Sequence, residues 1–196
     1  MNNSFKELPS GYKLIKSYSL KDFNIQVKIN LLALFLFLTP CINLFLLKLN
    51  TLTIHENQKD YLIALLIALL IFFIGFIFIL SFHELIQGYF YKKYTNEKPK
   101  LVINLQELSL KVEDVYIIKK EIKIILISPL LILPILFLVP ILILPLSLIN
   151  ISLILMFSFS LAITCYDIVN LIEISKLSKD GLYFSKDNII YLYDAY

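Results

Sequence analysis

The sequence predicts an all-α polytopic membrane protein: four transmembrane helices with a small β-hairpin insert on the cytoplasmic side. Three observations predict it. The 196 residues are 59% hydrophobic, with a mean hydropathy of +0.80, whereas soluble domains are about 45–50% apolar. The apolar residues are gathered into runs of spanning length instead of being spread along the chain. The 18 cations, every one a lysine, stand beside those runs, as membrane orientation requires. The net charge of +3 is accounted for by these flanks and asks for no nucleic-acid partner. A chain of this length forms one domain, so a single membrane domain over 1–196 is expected, with the lipid bilayer as its partner.

Each element has its own warrant. Residues 1–28 are polar, and the apolar run after them has no small-residue cleavage site, so no cleavable signal peptide is expected. The first span covers about 29–47, with Pro40 as a kink. A polar loop follows from Lys48 to Asp60. It carries His55, read as an ordinary exposed loop residue. The second span covers about 61–91, apolar to Phe82 and then polar, long enough to cross a core about 30 Å thick and emerge beyond it. Tyr89, Tyr91 and Tyr94 read as an interfacial belt, and Lys92–Lys93 as a solvated flank.

The insert, 92–123, alternates at Leu101, Ile103 and Leu105, then at Leu108, Leu110 and Val112. Period two on both sides of Gln106–Glu107 predicts a β-hairpin at the membrane face; a helix is the alternative. Residues 124–174 carry no charge before Asp167 and are too long for one span. They form a helical hairpin, about 124–145 and 150–174, turning at Pro145–Asn150. Pro129, Pro134, Pro140 and Pro145 predict a kinked or broken third helix, tolerated in lipid where protein or a cavity covers it. The tail, 175–196, has a turn at Lys179–Gly181 and an aromatic segment, Ile189–Tyr193, read as a short strand or interfacial strip. Cys41 and Cys165 both lie in apolar segments and read as packed thiols.

Orientation follows from the lysines. The N-terminal segment has five, the first loop two, the insert eight and the tail three. Four spans with both termini in the cytoplasm put sixteen inside and two outside, the arrangement the positive-inside rule prefers.

Two polar sites interrupt these spans. His83 and Glu84 sit in span two, nine residues before Lys92; Asp167 sits in span four, nine residues before Lys176. At 1.5 Å per residue each lies roughly 13 Å along its helix from that charge, so the two fall at similar depth. Intramembrane ionisable groups cost at least ~2.5–3.5 kcal/mol on insertion scales and face a partner or a cavity. A His-Glu pair on a helix opens the zinc motif His-Glu-x-x-His, in which the two histidines bind the metal and the glutamate is the general base. Here Gln87 stands at the second histidine's position, four residues from His83 and on the same helix face. Catalytic zinc takes three protein ligands and an open position, and Asp167 is the candidate for the ligand from elsewhere. An amide oxygen is a poor zinc ligand beside imidazole. The bland alternatives are that His83–Glu84 is a structural pair pinning helices, and that Asp167 only hydrogen-bonds Thr164 or Ser81.

At these residues the chain resembles the putative zincin peptidase family of bacterial membrane proteins, which belongs with the site-2-protease-like intramembrane metalloproteases. The residues that carry the likeness are His83-Glu84-Leu85-Ile86-Gln87-Gly88, Val115-Tyr116-Ile117-Ile118-Lys119, Ser128-Pro129, Asp167-Ile168, the Lys179-Asp180-Gly181 turn and Tyr191-Leu192-Tyr193. The family's second histidine maps onto Gln87, and its Gly-Asp pair onto Tyr166-Asp167. The resemblance implies zinc held by His83 and Asp167, with Gln87 in the second-ligand position and Glu84 as general base. It implies a hydrolase of peptide bonds in or near the bacterial cell membrane, acting on a membrane peptide or protein. The rival reading is a non-catalytic zincin-derived membrane protein with a binding, regulatory or self-immunity role.

Topology has a direct check. With a single cysteine as probe, outside labelling should modify position Asn57 and spare position Asn96; the opposite pattern would invert the orientation.

Overall fold

A computed structural model describes residues 4–49, 58–104, 107–112, 114–186 and 188–195. The chain forms two compact units. One comprises Met1–Asn30, His83–Pro129 and Cys165–Tyr196; the other comprises Leu31–Phe82 and Leu130–Thr164.

Among the described residues five helices carry the apolar sequence: α1 (Phe23–Lys48), α2 (Gln58–Thr95), α3 (Lys119–Ile143), α4 (Leu148–Ala162) and α5 (Cys165–Ser175). Four stretches of them are long and apolar enough to cross a membrane: Phe23–Lys48, Leu62–Thr95, Lys119–Ile143 and Leu148–Ser175. They correspond to the four expected spans, but the helices outrun the apolar residues. α1 starts in polar sequence because the Asp22 carboxylate accepts from the Asn24 N–H at 2.9 Å, satisfying a donor the first turn leaves open. α3 starts at Lys119 and takes Lys120, Glu121 and Lys123 into its first turns. Hydropathy marks the lipid-facing stretch of a helix, whereas capping marks its ends. The first loop, with His55, lies largely outside the described residues.

The third helix is not broken. α3 runs without interruption through Pro129, Pro134 and Pro140 and stops two residues short of Pro145. Each proline removes one donor and leaves the flanking bonds in place. The interruption falls instead in the fourth span, at Ile163–Thr164, between α4 and α5. No proline stands there.

Within the helical unit, α4 is the packed element. Ser147 caps it, accepting from the Asn150 N–H. The Ser152 hydroxyl is 3.0 Å from the Ala68 carbonyl of α2. Met156 lies over Gly75, and Phe159 stacks on Phe76 at 4.5 Å. The α3–α4 turn is held by Asn150, whose amide donates to the Ile141 and Leu144 carbonyls, and by Lys48, which donates to Leu142 and Leu144. These donors meet carbonyls that a helix C-terminus leaves without internal partners. α1 leaves Leu31, Leu34, Phe35, Leu38 and Ile42 exposed, an apolar area that suits lipid rather than water.

The all-α expectation needs a correction in the other unit. Among the described residues seven strands form there: β1 (Ser4–Phe5), β2 (Tyr12–Ser19), β3 (Lys100–Asn104), β4 (Glu107–Lys111), β5 (Tyr116–Ile118), β6 (Leu182–Lys186) and β7 (Ile189–Ala195). β3 and β4 make the expected hairpin, with Leu101 opposite Leu110 and Ile103 opposite Leu108. The connection between them lies outside the described residues. The other five form an antiparallel sheet in the order β1-β5-β6-β7-β2. Its centre is the tail: the aromatic segment Ile189–Tyr193 is strand, and the Lys179–Gly181 turn leads into β6. The N-terminal strand was hidden for two reasons. Its partner β7 lies at the other end of the chain, and a bulge between Leu14 and Lys16 shifts the side-chain alternation.

One sheet face carries Tyr18, Ile117, Tyr183, Ile190 and Leu192. These pack with Tyr91 of α2, Ile122 and Ile125 of α3, and Ile174 of α5 in one buried cluster. Tyr91 therefore belongs to a core and not to an interfacial belt; Tyr89 is exposed. Cys165 is buried and Cys41 half-buried, both as free thiols.

The tail turn is tight. Gly181 donates to the Ser178 carbonyl and accepts from the Lys119 N–H at 2.8 Å, and a Cβ at Gly181 would lie 2.6 Å from the Leu177 Cβ. A branch-point carbon so close to the backbone cannot swing away. Gly181→Ala should lower unfolding stability by about 1–3 kcal/mol, the cost of overpacking, read by denaturant or thermal unfolding.

Candidate active site

The four residues singled out in the sequence lie together within the sheet-bearing unit. α2 supplies His83, Glu84 and Gln87, and the first turn of α5 supplies Asp167. On α2 the i, i+4 spacing stacks His83 and Gln87 on one face. On α5 the interruption at Ile163–Thr164 starts a new helix just before the carboxylate. Asp167 thus gains a helix N-terminus, where a negative charge is stabilised by ~0.3–1 kcal/mol at exposed sites and more when partly buried.

Asp167 Oδ2 is the hub. It lies 3.0 Å from His83 Nε2 and accepts from the Gln87 amide Nε2 at 2.8 Å. The other ring nitrogen, His83 Nδ1, is 3.2 Å from Glu84 Oε1. His83, Gln87 and Asp167 are each 6–7% exposed; the Glu84 side chain is 14% exposed, the most open of the four. Burial this deep leaves the groups no water to fall back on, so each must find its partner within the cluster. Asp167 makes no hydrogen bond to Thr164 or Ser81 among the described contacts; it is tied to α2.

The donor set decides what the cluster can hold. Two zinc ligands at ~2.0–2.1 Å in tetrahedral geometry stand about 3.3 Å apart. The 3.0 Å between His83 Nε2 and Asp167 Oδ2 is close to that edge. The third donor is the weak one. Gln87 presents its amide N–H to Asp167, and its oxygen, a neutral amide donor, is a poor zinc ligand beside imidazole. Among the described residues no three His, Cys, Asp or Glu side chains converge as a metal site. The residues present offer two ligands where a catalytic zinc needs three, and they do not fit the metal as they stand.

A second group of residues surrounds Asp167 that the motif did not point to. Tyr91 is one turn beyond Gln87 on the same face of α2 and is buried. Asn170, one turn beyond Asp167 on α5, accepts from the Tyr18 hydroxyl at 3.0 Å. Tyr183 of β6 is buried beside them. Burial pushes its phenol up to about 12; a hydrogen bond with Ser185 opposes this and the Asp167 charge adds to it. Burial likewise raises Tyr18, with Tyr183 and Glu173 adding. Both phenols therefore stay protonated through the physiological range, and Tyr18 donates to Asn170. The spacing of Tyr91 from Gln87 and of Asn170 from Asp167 was the available signal. Tyr18 had none, because only the sheet brings it near. Glu173, which could have reached the interface freely, is paired with Lys16 at 2.7 Å and Lys176 at 2.8 Å.

A family model described as "Putative zincin peptidase" matches residues 76–182, just over half of the chain, and the chain belongs to that family. The matched segment contains all four clustered residues. No curated protein and no solved structure matches the chain.

Removing the hub should cost more than removing the open carboxylate. Asp167→Ala strands a buried imidazole and a buried amide, and should lower unfolding stability by about 3 kcal/mol or more. Glu84→Ala leaves the Asp167 contacts in place and should cost under half as much. Equal losses would show that Asp167 is not the centre of the cluster.

Proposed function

Proceeding from membership in the zincin peptidase family, we propose that this protein is a membrane-embedded, non-catalytic relative that has exchanged the metal centre for a hydrogen-bonded one. Its role on this reading is binding or regulation of a membrane peptide or protein, self-immunity included, in the bacterial cell membrane with both termini cytoplasmic. The single observation that carries the reading is the Gln87 amide on Asp167 Oδ2. An N–H donor occupies the place where the motif requires a lone pair. The scaffold around it, with four apolar spans and the His-Glu pair on the second, fits the ancestral peptidase and explains why the rest of the motif persists.

The second reading is a site-2-protease-like peptidase that retains activity. Two observations favour it: the His83–Asp167 separation is near a tetrahedral edge, and Glu84, the residue the motif assigns as general base, is the least buried of the four.

Metal analysis of purified protein separates the two. Wild type should hold no stoichiometric zinc, and Gln87→His, which restores the imidazole at i+4, should acquire it. Stoichiometric zinc in wild type that is lost in His83→Ala, with proteolysis abolished by Glu84→Gln while the metal stays, would establish the peptidase and end the non-catalytic reading.

A further inference from the structure

α5 has an anchoring problem. It is 11 residues long, and the helical bonding that would fix its rotation from α4 is interrupted at Ile163–Thr164. Its one inward carboxylate must nevertheless meet His83 at 3.0 Å and Gln87 at 2.8 Å. A side chain at the rim of a helix stands ~5.5 Å from the axis. A rotation of about 20° therefore moves the carboxylate by about 2 Å, enough to break both contacts.

Three residues on the adjacent face of α5 are held, and all three holders come from the N-terminal segment. Tyr166 exchanges hydrogen bonds with Gln26, whose amide also donates to the Leu20 carbonyl at 2.7 Å. Asn170 accepts from the Tyr18 hydroxyl in a buried contact at 3.0 Å. Glu173 accepts from Lys16 at 2.7 Å. Positions 166, 170 and 173 follow the i, i+4, i+7 spacing of a single helix face, and Asp167 lies about 100° round from Tyr166. The segment 16–26 thus grips one face of α5 while the neighbouring face presents Asp167. This segment lies outside the residues matched by the family, 76–182.

We propose that Tyr18 is a positioning residue for the His83–Asp167 contact, acting through Asn170, and that Gln26 and Lys16 complete an N-terminal strap that sets the rotation of α5. The inference deepens the functional reading above and rests on it: a site without a metal to cross-link α2 and α5 needs its carboxylate fixed by the adjoining face of α5. The hydrogen bond of the Tyr18 hydroxyl goes to Asn170 and not to the four clustered groups. Its effect on them passes through one turn of helix.

The test uses the full chain in detergent with ¹⁵N-labelled histidine. The chain has two histidines, and His83→Ala assigns the signal of the site. In wild type the His83 ring should give the downfield N–H resonance of an imidazole bonded to a carboxylate. Tyr18→Phe, which removes one oxygen and keeps the packing, should shift or abolish that resonance well below the unfolding temperature. Gln26→Leu, which loosens the strap at its more exposed end, should move it in the same direction and serves if Tyr18→Phe does not fold. Lys6→Gln, which breaks the exposed pair with Glu97 beside β1, should leave it unchanged. An unmoved His83 resonance in folded Tyr18→Phe and Gln26→Leu overturns the strap. A wild-type resonance at the position of a zinc-bound imidazole instead overturns the metal-free reading; a shift of that bound signal in Tyr18→Phe would then still support the strap.

Discussion

A single carboxylate oxygen organises the chemistry of this chain. Asp167 Oδ2 is shared between an imidazole and an amide of another helix, in a place where none of the three is more than 7% exposed. Away from water such a cluster has no neutral option: satisfied, it specifies one arrangement, and half-satisfied it costs more than an apolar core would. The sequence around it answers that demand repeatedly. The second helix carries its polar residues one turn apart on one face. The fourth span breaks just before the aspartate, so that the carboxylate sits at a helix start. Tyr91 and Tyr183 close the surroundings with bulky, buried side chains.

The amide at position 87 changes what the arrangement can be. A zincin joins two histidines and a third ligand through an ion, and the ion's charge is what draws the carboxylate in. On the proposed reading the amide N–H does that work directly, through a hydrogen bond to Asp167 Oδ2 at 2.8 Å. That reading asks for one side chain only: a donor at position 87 where the motif has a metal ligand. His83 is held between Asp167 and Glu84, a contact that gives its imidazole a structural task on the proposed reading.

Much of this was legible in the chain. The four long apolar helical stretches followed from hydropathy and length, and the hairpin at 100–111 from period-two alternation. The association of His83, Glu84, Gln87 and Asp167 followed from spacing and matched depth. What could not be read were the features that depend on partners far away in sequence. β2 pairs with β7 across nearly the whole chain and carries a bulge that blurs its pattern, so residues 12–19 read only as a polar segment. Tyr91 reads as a belt residue beside Tyr89 until the sheet covers it. The prolines of α3 signalled a break that the helix absorbs, while the real interruption at Ile163–Thr164 has no marker residue. The helix ends moved because Asp22 and Ser147 cap them, and hydropathy does not report capping.

The central claim is that the Gln87–Asp167 hydrogen bond does the joining that a metal would do. The most direct measurement is a double-mutant cycle on unfolding stability in excess chelator, using Gln87→Leu, Asp167→Leu and the double variant. Residues joined in one buried network couple by about 0.5–3 kcal/mol, and coupling in that range with chelator present is the predicted result. Additive losses, or a coupling that exists only when zinc is supplied, would contradict it.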